Sequence, residues 1–458
     1  MSVLIAIDPT TGMTLREVPA ATGAQTDALL ERARAALPAW RERSIAERAE
    51  VLAAVGAHLR KDVERLAPLM TEEMGKPLSE ARGEVAKAAW AAEHYAAHAE
   101  EYLATEHIAS DATSSYVQHL PLGTVLGILP WNAPFWLALR FSAPALMAGN
   151  TAVMKHDPHV PGCATAIEEV FRRAGAPDGV FQTLYAATED VEAVIRDPRV
   201  QAVSFTGSDR AGARIAAIAG SEIKPVVLEL GGSDPCLVLA DADLEQAAEV
   251  SALSRIINAG QSCIAAKRVI VERPVHDRFV ELLAAQLERL VVGDPREERT
   301  QVGPLARADL RETLHRQVSA TVRAGARLVL GGTMPEGEGF FYPVTLLDDV
   351  EPGMAACTEE TFGPVAVVMV AEDAEHALAL ANDTPYGLGA SVWTDTARGE
   401  ALARRIEAGQ VSVNGIVKTD PRLPSGGIKR SGYGRELGPH GIREFVNAQQ
   451  VWVGPVRD

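Results

Sequence analysis

The chain has 458 residues, enough for two or three domains at about 150 residues each and for a generous core. Hydrophobic residues make up 47% and charged residues 23%, which excludes a disordered chain, a collagen-like repeat and a disulfide-built miniprotein. Lys and Arg number 44 against 61 Asp and Glu, a net charge of −17, and such a surface repels phosphate backbones and anionic headgroups, so neither nucleic acid nor a membrane is an expected partner.

The short apolar run from Val3 to Ile7 ends at Asp8-Pro9, with neither the basic start nor the apolar length of an export signal. No other apolar run approaches the roughly 20 residues that span a bilayer. Cys163, Cys236, Cys263 and Cys357 lie far apart with no CxxC pair, which fits neither a zinc knuckle nor a disulfide framework and makes the reducing cytoplasm the expected location.

In chain order, Ser44 with Glu47 forms a capping box, and Ile45, Leu52, Val55, Leu59 and Leu66 then recur at helical spacing, which predicts a long amphipathic helix. A second, Ala-rich helix is expected from about Ser79 to Leu103, so that the first hundred residues are mostly helical. The polar, alternating tract Thr105–Gln118 suits a projecting hairpin. From Gly123, short apolar runs alternate with helical stretches: Thr124–Leu129, Thr151–Met154, Val180–Leu184, Ala202–Phe205 and Val226–Leu230. After about residue 232 the pattern resumes with Lys267–Val271, Leu328–Leu330, Val365–Val370 and Gln410–Val413. Two α/β domains are therefore expected, each with a parallel sheet.

Several residues within this pattern could carry chemistry. Cys263, in Asn258-Ala259-Gly260-Gln261-Ser262-Cys263, sits at a turn where a thiol and backbone N–H groups are presented together, although a free cysteine is as readily a buried core residue. Glu229 closes an apolar strand before Gly231-Gly232, where a carboxylate in low-dielectric surroundings can act as a general base or simply point to solvent. Asn132 lies in Pro130-Trp131-Asn132-Ala133-Pro134; its amide has the donors an oxyanion needs, and it also suits a plain turn. Phe205-Thr206-Gly207-Ser208 joins a strand to a helix N-terminus suited to phosphate, and Lys155 ends another strand. The segment Gly432-Tyr433-Gly434 through Gly438 only imitates a dinucleotide fingerprint, since its spacing is wrong.

PWN, FTGS, LELGG, GQSC, EETFGP (Glu359–Pro364) and GGIKRSGYGRELG (Gly426–Gly438) occur in one order along the chain. That order resembles the aldehyde dehydrogenase superfamily along essentially the whole length, and GQSCIAAKR with Lys418–Pro424 is most similar to the succinate-semialdehyde dehydrogenases. The resemblance implies an α/β fold with a Rossmann-like cofactor domain (1–106 and 122–230), a catalytic domain (231–430) and an oligomerisation arm with a β-hairpin (107–121 and 431–458). It implies Cys263 as nucleophile, Glu229 as general base and Asn132 as oxyanion donor. Trp131, Lys155, Gly207, Ser208, Glu360 and Phe362 would hold NAD or NADP, and the assembly would be a homodimer or homotetramer.

Where many NAD-preferring relatives carry a Glu three residues after the cofactor lysine, this chain has Pro158, so acceptance of NADP is expected; His156 and His159 flank it. Arg140 matches an arginine that grips the substrate carboxylate in some relatives, while the second such position is Ile257. Trp136, Thr419 and Ser425 complete the expected substrate site. Ala265 two residues after Cys263 precludes a vicinal disulfide switch. The resulting expectation is NAD(P)-dependent oxidation of a short semialdehyde, succinic semialdehyde foremost. The alternatives are another anionic or aliphatic aldehyde, including a phosphonate aldehyde, and a non-catalytic paralogue. Glu229 disfavours a CoA-acylating enzyme.

Overall fold

The computed structural model describes residues 2–454, so the last four residues of the expected arm, 455–458, lie outside it. The capping box at Ser44 forms as read: the Ser44 hydroxyl accepts from the Glu47 N–H, and Glu47 accepts from the Ser44 N–H at 2.7 Å. The helix that follows, Ile45–Lys61, is shorter than its hydrophobic spacing suggests, because Asp62 (φ −100°, ψ 14°) breaks it before Val63–Met74. The Ala-rich helix spans Leu78–Tyr102. The N-terminal apolar run is a strand, Val3–Ile7, paired antiparallel with Thr14–Pro19, an element not evident from the sequence.

Two large sheets carry the fold. The first orders its strands Gly432–Tyr433, Val226–Glu229, Val200–Thr206, Thr124–Leu129, Thr151–His156 and Phe181–Thr183, parallel except for the Gly432–Tyr433 edge. Chain order reverses between Thr124–Leu129 and Val200–Thr206, and such a switch opens a ligand crevice beyond the carboxyl ends of the two strands. The loops leaving those ends begin with Trp131-Asn132 and Gly207-Ser208. Gly432–Tyr433, within the stretch expected in the arm, instead closes the edge of this sheet beside Leu228 and Glu229.

The second sheet has seven strands, in the order Arg327–Leu330, Thr345–Asp348, Val365–Ala371, Arg268–Glu272, Pro235–Val238, Gly389–Trp393 and Gln410–Val413, with only the Arg327–Leu330 edge antiparallel. Pro235–Val238, Thr345–Asp348 and Gly389–Trp393 were not anticipated. The chain passes from the first sheet to the second across Leu230–Asp234, so Glu229 lies at the seam. A third, antiparallel sheet joins Glu106–His107, Ser114–Pro121 and Val446–Val453; its first two strands are the expected hairpin.

Close packing at the first sheet sets the helix Pro134–Met147 behind Asn132. Gly127, inside Thr124–Leu129, faces the Phe141 ring so closely that a Cβ would sit 2.4 Å from Phe141 Cε1. Gly127→Ala should therefore destabilise the protein by about 1–3 kcal/mol through overpacking. The double variant G127A/F141L should recover at least half of that loss in denaturant unfolding.

Candidate active site

The loop bearing Cys263 runs from the helix Leu244–Ile256 to the strand Arg268–Glu272. Asn258 (φ 55°), Ala259 (φ 52°) and Gly260 (φ 74°) take left-handed backbone in succession, a strained turn that persists only where its surroundings hold it. The Asn258 N–H donates to Glu80 Oε2 at 2.7 Å. Asn258 Nδ2 donates to the Asn132 carbonyl at 2.9 Å, and Gln261 Oε1 accepts from the Ala306 N–H at 2.9 Å. A Cβ at Gly260 would come 2.2 Å from the Gly363 carbonyl, so glycine is required there for space as well as for φ.

Two buried cations secure the same loop. Arg255, 1% exposed, donates to the Gly260 carbonyl at 2.6 Å. Lys267, fully buried, donates to the carbonyls of Ser262 at 2.9 Å and Cys263 at 2.6 Å, and its ammonium lies 3.3 Å from Glu360 Oε1. Cys263 is half-buried, whereas Cys163, Cys236 and Cys357 are buried. Burial pushes the Cys263 thiol up to about 11; Lys267, then Arg140, pull it back toward the thiolate.

Glu229 is 3% exposed. Its Oε2 accepts from Arg140 Nη2 at 3.4 Å, and its Oε1 has no hydrogen-bond partner among the described residues. Burial raises its carboxyl to about 7, against the attraction of Arg140 and with help from the like charge of Glu436. Arg140 is itself 3% exposed; its Nε pairs with Glu436, whose Oε1 accepts from Ser204 Oγ at 3.1 Å. A carboxyl poised near neutrality beside a thiol is the pairing that general-base chemistry requires. Asn132 Nδ2 donates to the Gln261 carbonyl at 3.1 Å, which draws its amide to the nucleophile loop.

The residues expected to hold the cofactor gather at the strand ends. Lys155 is 7% exposed, and no hydrogen bond or ion pair engages its ammonium among the described residues; burial lowers its pKa and the nearby Asp157 carboxylate opposes that. Trp131 and Phe362 stand edge to face, with ring centroids 5.9 Å apart. Ser208 caps the helix Asp209–Ser221. A Cβ at Gly231 would lie 2.4 Å from Glu360 Oε2, so Glu360 rests on the turn after Glu229, where the Gly232 N–H donates to its Oε1 at 3.2 Å. These groups fit a nicotinamide dinucleotide: a cation for ribose or phosphate oxygens, aromatic walls, and a helix N-terminus.

His156 is a packing residue. Its Nε2 bonds the Pro134 carbonyl at 3.2 Å, its Nδ1 accepts from the Asp157 N–H, and burial lowers it to about 4. His159 lies 2.7 Å from Asp157 Oδ1.

On the substrate side, Trp136 and Arg140 share a face of Pro134–Met147, and Thr419 lies near Trp136, both in contact with Lys87. Ser425 is 1% exposed and its backbone pairs with that of Glu436 at 2.7 and 2.8 Å, and a Cβ on the adjacent Gly426 would lie 2.9 Å from Glu229 Oε1, which keeps this segment beside the general base. Lys267, Arg255 and Glu436 were not singled out from the sequence, although Lys267 lies in GQSCIAAKR and Glu436 in GGIKRSGYGRELG.

The aldehyde dehydrogenase family matches residues 2–451. Succinate semialdehyde dehydrogenase [NAD(P)+] Sad of Escherichia coli is 46% identical over 449 residues, covering 98% of this chain and 97% of that one. Succinate-semialdehyde dehydrogenase [NADP(+)] 1 of Mycobacterium tuberculosis is also 46% identical, over 454 residues, covering 98% and 99%. The crystal structure of succinic semialdehyde dehydrogenase from Streptococcus pyogenes in complex with NADP+ superposes with a TM-score of 0.96 at 36% identity, covering 99% of this chain and all of that one. The chain belongs to the aldehyde dehydrogenase family.

Lys267→Met removes both the tether of the Cys263 carbonyl and the cation that pulls most strongly on the thiol. Iodoacetamide labelling of Cys263 at a fixed pH near 8 should slow by about threefold to tenfold, one pKa unit being about a factor of ten in thiolate; an unchanged rate would contradict the electrostatic role of Lys267.

Proposed function

We propose that this enzyme oxidises succinic semialdehyde to succinate with NADP or NAD. The observation that carries the substrate is the end-to-end likeness, at 46% identity, to enzymes bearing that name. The position of Arg140 supports it: with Nε and Nη2 engaged by Glu436 and Glu229, Nη1 remains for a substrate carboxylate beside the reacting thiol. A charge-assisted pair of that kind is worth about 1.5–3 kcal/mol.

Cys263, as thiolate, adds to the aldehyde carbon to give a thiohemiacetal, whose oxyanion meets the Asn132 amide and the Cys263 N–H. When bound, the nicotinamide supplies the hydride acceptor that turns the adduct into a thioester. Glu229, with Oε1 free, takes a proton from the water that attacks the thioester carbon, and the C–S bond breaks to return Cys263. Trp131, Lys155, Gly207, Ser208, Glu360 and Phe362 hold the dinucleotide in this reading. Pro158 leaves no carboxylate at the position that would repel a 2′-phosphate, which supports use of NADP.

The division into a cofactor domain, a catalytic domain and an arm is part of the same proposal, with Gly432–Tyr433 joining the cofactor sheet and the arm carried by Ser114–Pro121 and Val446–Val453, as are a homodimer or homotetramer and a cytoplasmic location. Trp452 and Val453, 48% and 44% exposed on the last strand, give the arm an apolar surface suited to a second copy. Among the described residues, no helix is long and apolar enough to cross a membrane.

The test is the initial rate of cofactor reduction with succinic semialdehyde, butanal and a phosphonate-bearing aldehyde, each with NADP and with NAD. The expected outcome is a kcat/KM for succinic semialdehyde at least tenfold above that for butanal, turnover with NADP, and no turnover in C263A. Equal rates with butanal would reject the carboxylated substrate.

A further inference from the structure

Lys87 lies on the helix Leu78–Tyr102, four residues from Ala91 and three from Glu84, on the face that packs against Pro134–Met147. Its ammonium sits 4.3 Å from the centroid of the Trp136 ring and donates to Thr419 Oγ1 at 2.7 Å. Among the described residues it makes no other hydrogen bond and no ion pair.

The charged groups around it are Arg140, Glu84, Asp420 and Lys418, and both acids are already taken. Glu84 pairs with Lys76 and accepts the N–H groups of Phe135 and Trp136 at 2.9 and 3.2 Å. Asp420 is held by three bonds from Arg422, at 2.9, 2.8 and 2.6 Å. A half-buried ammonium without a counter-ion, beside a second cation, is held against its own desolvation and invites an anion. Burial lowers Lys87 only to about 8, so it is mostly charged at neutral pH.

We propose that Lys87 is a specificity-determining residue that, together with Arg140, receives the carboxylate of the semialdehyde substrate. Arg140 lies next to Glu229 and Cys263; Lys87 lies over the Trp136 ring, and the charge of Arg140 reaches it. The two cations of the receptor thus come from two different helices. Ile257, in the nucleophile segment, cannot supply the second charge, and Lys87 supplies it from the helix Leu78–Tyr102. This inference rests on the carboxylated substrate proposed above and names the residue that selects it.

The experiment compares kcat/KM for succinic semialdehyde and for butanal, its uncharged counterpart, in wild type, K87M and K87R with NADP. K87M should lose about 10- to 100-fold on succinic semialdehyde, mainly through KM, as expected for one charge-assisted hydrogen bond. It should keep butanal within about twofold, which also shows that the variant is folded. K87R should restore most of the preference. A preference that survives K87M, or an equal loss on both aldehydes, overturns the role of Lys87 while leaving the substrate reading intact. A wild-type enzyme with no preference for succinic semialdehyde overturns the substrate reading and, with it, this inference.

Discussion

Arg140 lies between the carboxylates of Glu229 and Glu436 with 3% of its side chain exposed, and the chemistry of the site depends on that burial. A carboxylate taken out of water alone would simply stay protonated; beside a guanidinium, Glu229 is held at about 7, where it can exist in either form. Glu436 prevents Arg140 from committing wholly to Glu229. Its position is itself secured, since Leu437 adopts a left-handed φ of 64° while fully buried, a conformation that persists only when the packing around it leaves no alternative. Removing one partner of such a group strands the others, at about 3–5 kcal/mol; stability and reactivity are therefore coupled at this point.

The same economy of buried charge shapes the nucleophile segment. Three successive left-handed residues from Asn258 to Gly260 would not hold their form in open solvent. Arg255 and Lys267 bind the carbonyls that this turn leaves pointing inward, and Glu80 and Asn132 tie it to the other half of the molecule. Lys267 also reaches Glu360, so the thiol loop and a residue on the cofactor side share one cation. The seam between the two sheets, crossed by the chain at Leu230–Asp234, brings Glu229, Cys263 and Glu360 within reach of one another.

Much of this was legible in the sequence. Residues whose chemistry is tied to strand ends and turns were visible because glycines and prolines mark those junctions: Asn132 between prolines, Glu229 before Gly231-Gly232, Cys263 after Gly260. The sheets were legible in outline, because runs such as Thr124–Leu129 and Gln410–Val413 have clear borders; Pro235–Val238 and Gly389–Trp393, four and five residues long, do not stand out from other short apolar stretches. Long-range partners left no local trace. Arg140 is legible as a carboxylate-binding arginine only through the family resemblance, and nothing near it in the sequence announces Glu436, almost 300 residues downstream, as its partner. Lys87 has no signal in the sequence that marks Trp136 and Thr419 as its neighbours. The backbone pairing of Ser425 with Glu436 likewise has no signal in the sequence.

The most direct test of this account is the pH dependence of thioester hydrolysis, followed as single-turnover deacylation in wild type and in Glu436→Gln. Glu229 acts as a base only when deprotonated, so the wild-type rate should rise with pH through about 7. Neutralising Glu436 removes a like charge and frees Arg140 for Glu229; both effects favour the carboxylate, so the rising limb should move to lower pH. A limb that stays in place, or moves upward, would contradict the claim that these three buried charges set the reactivity of the site.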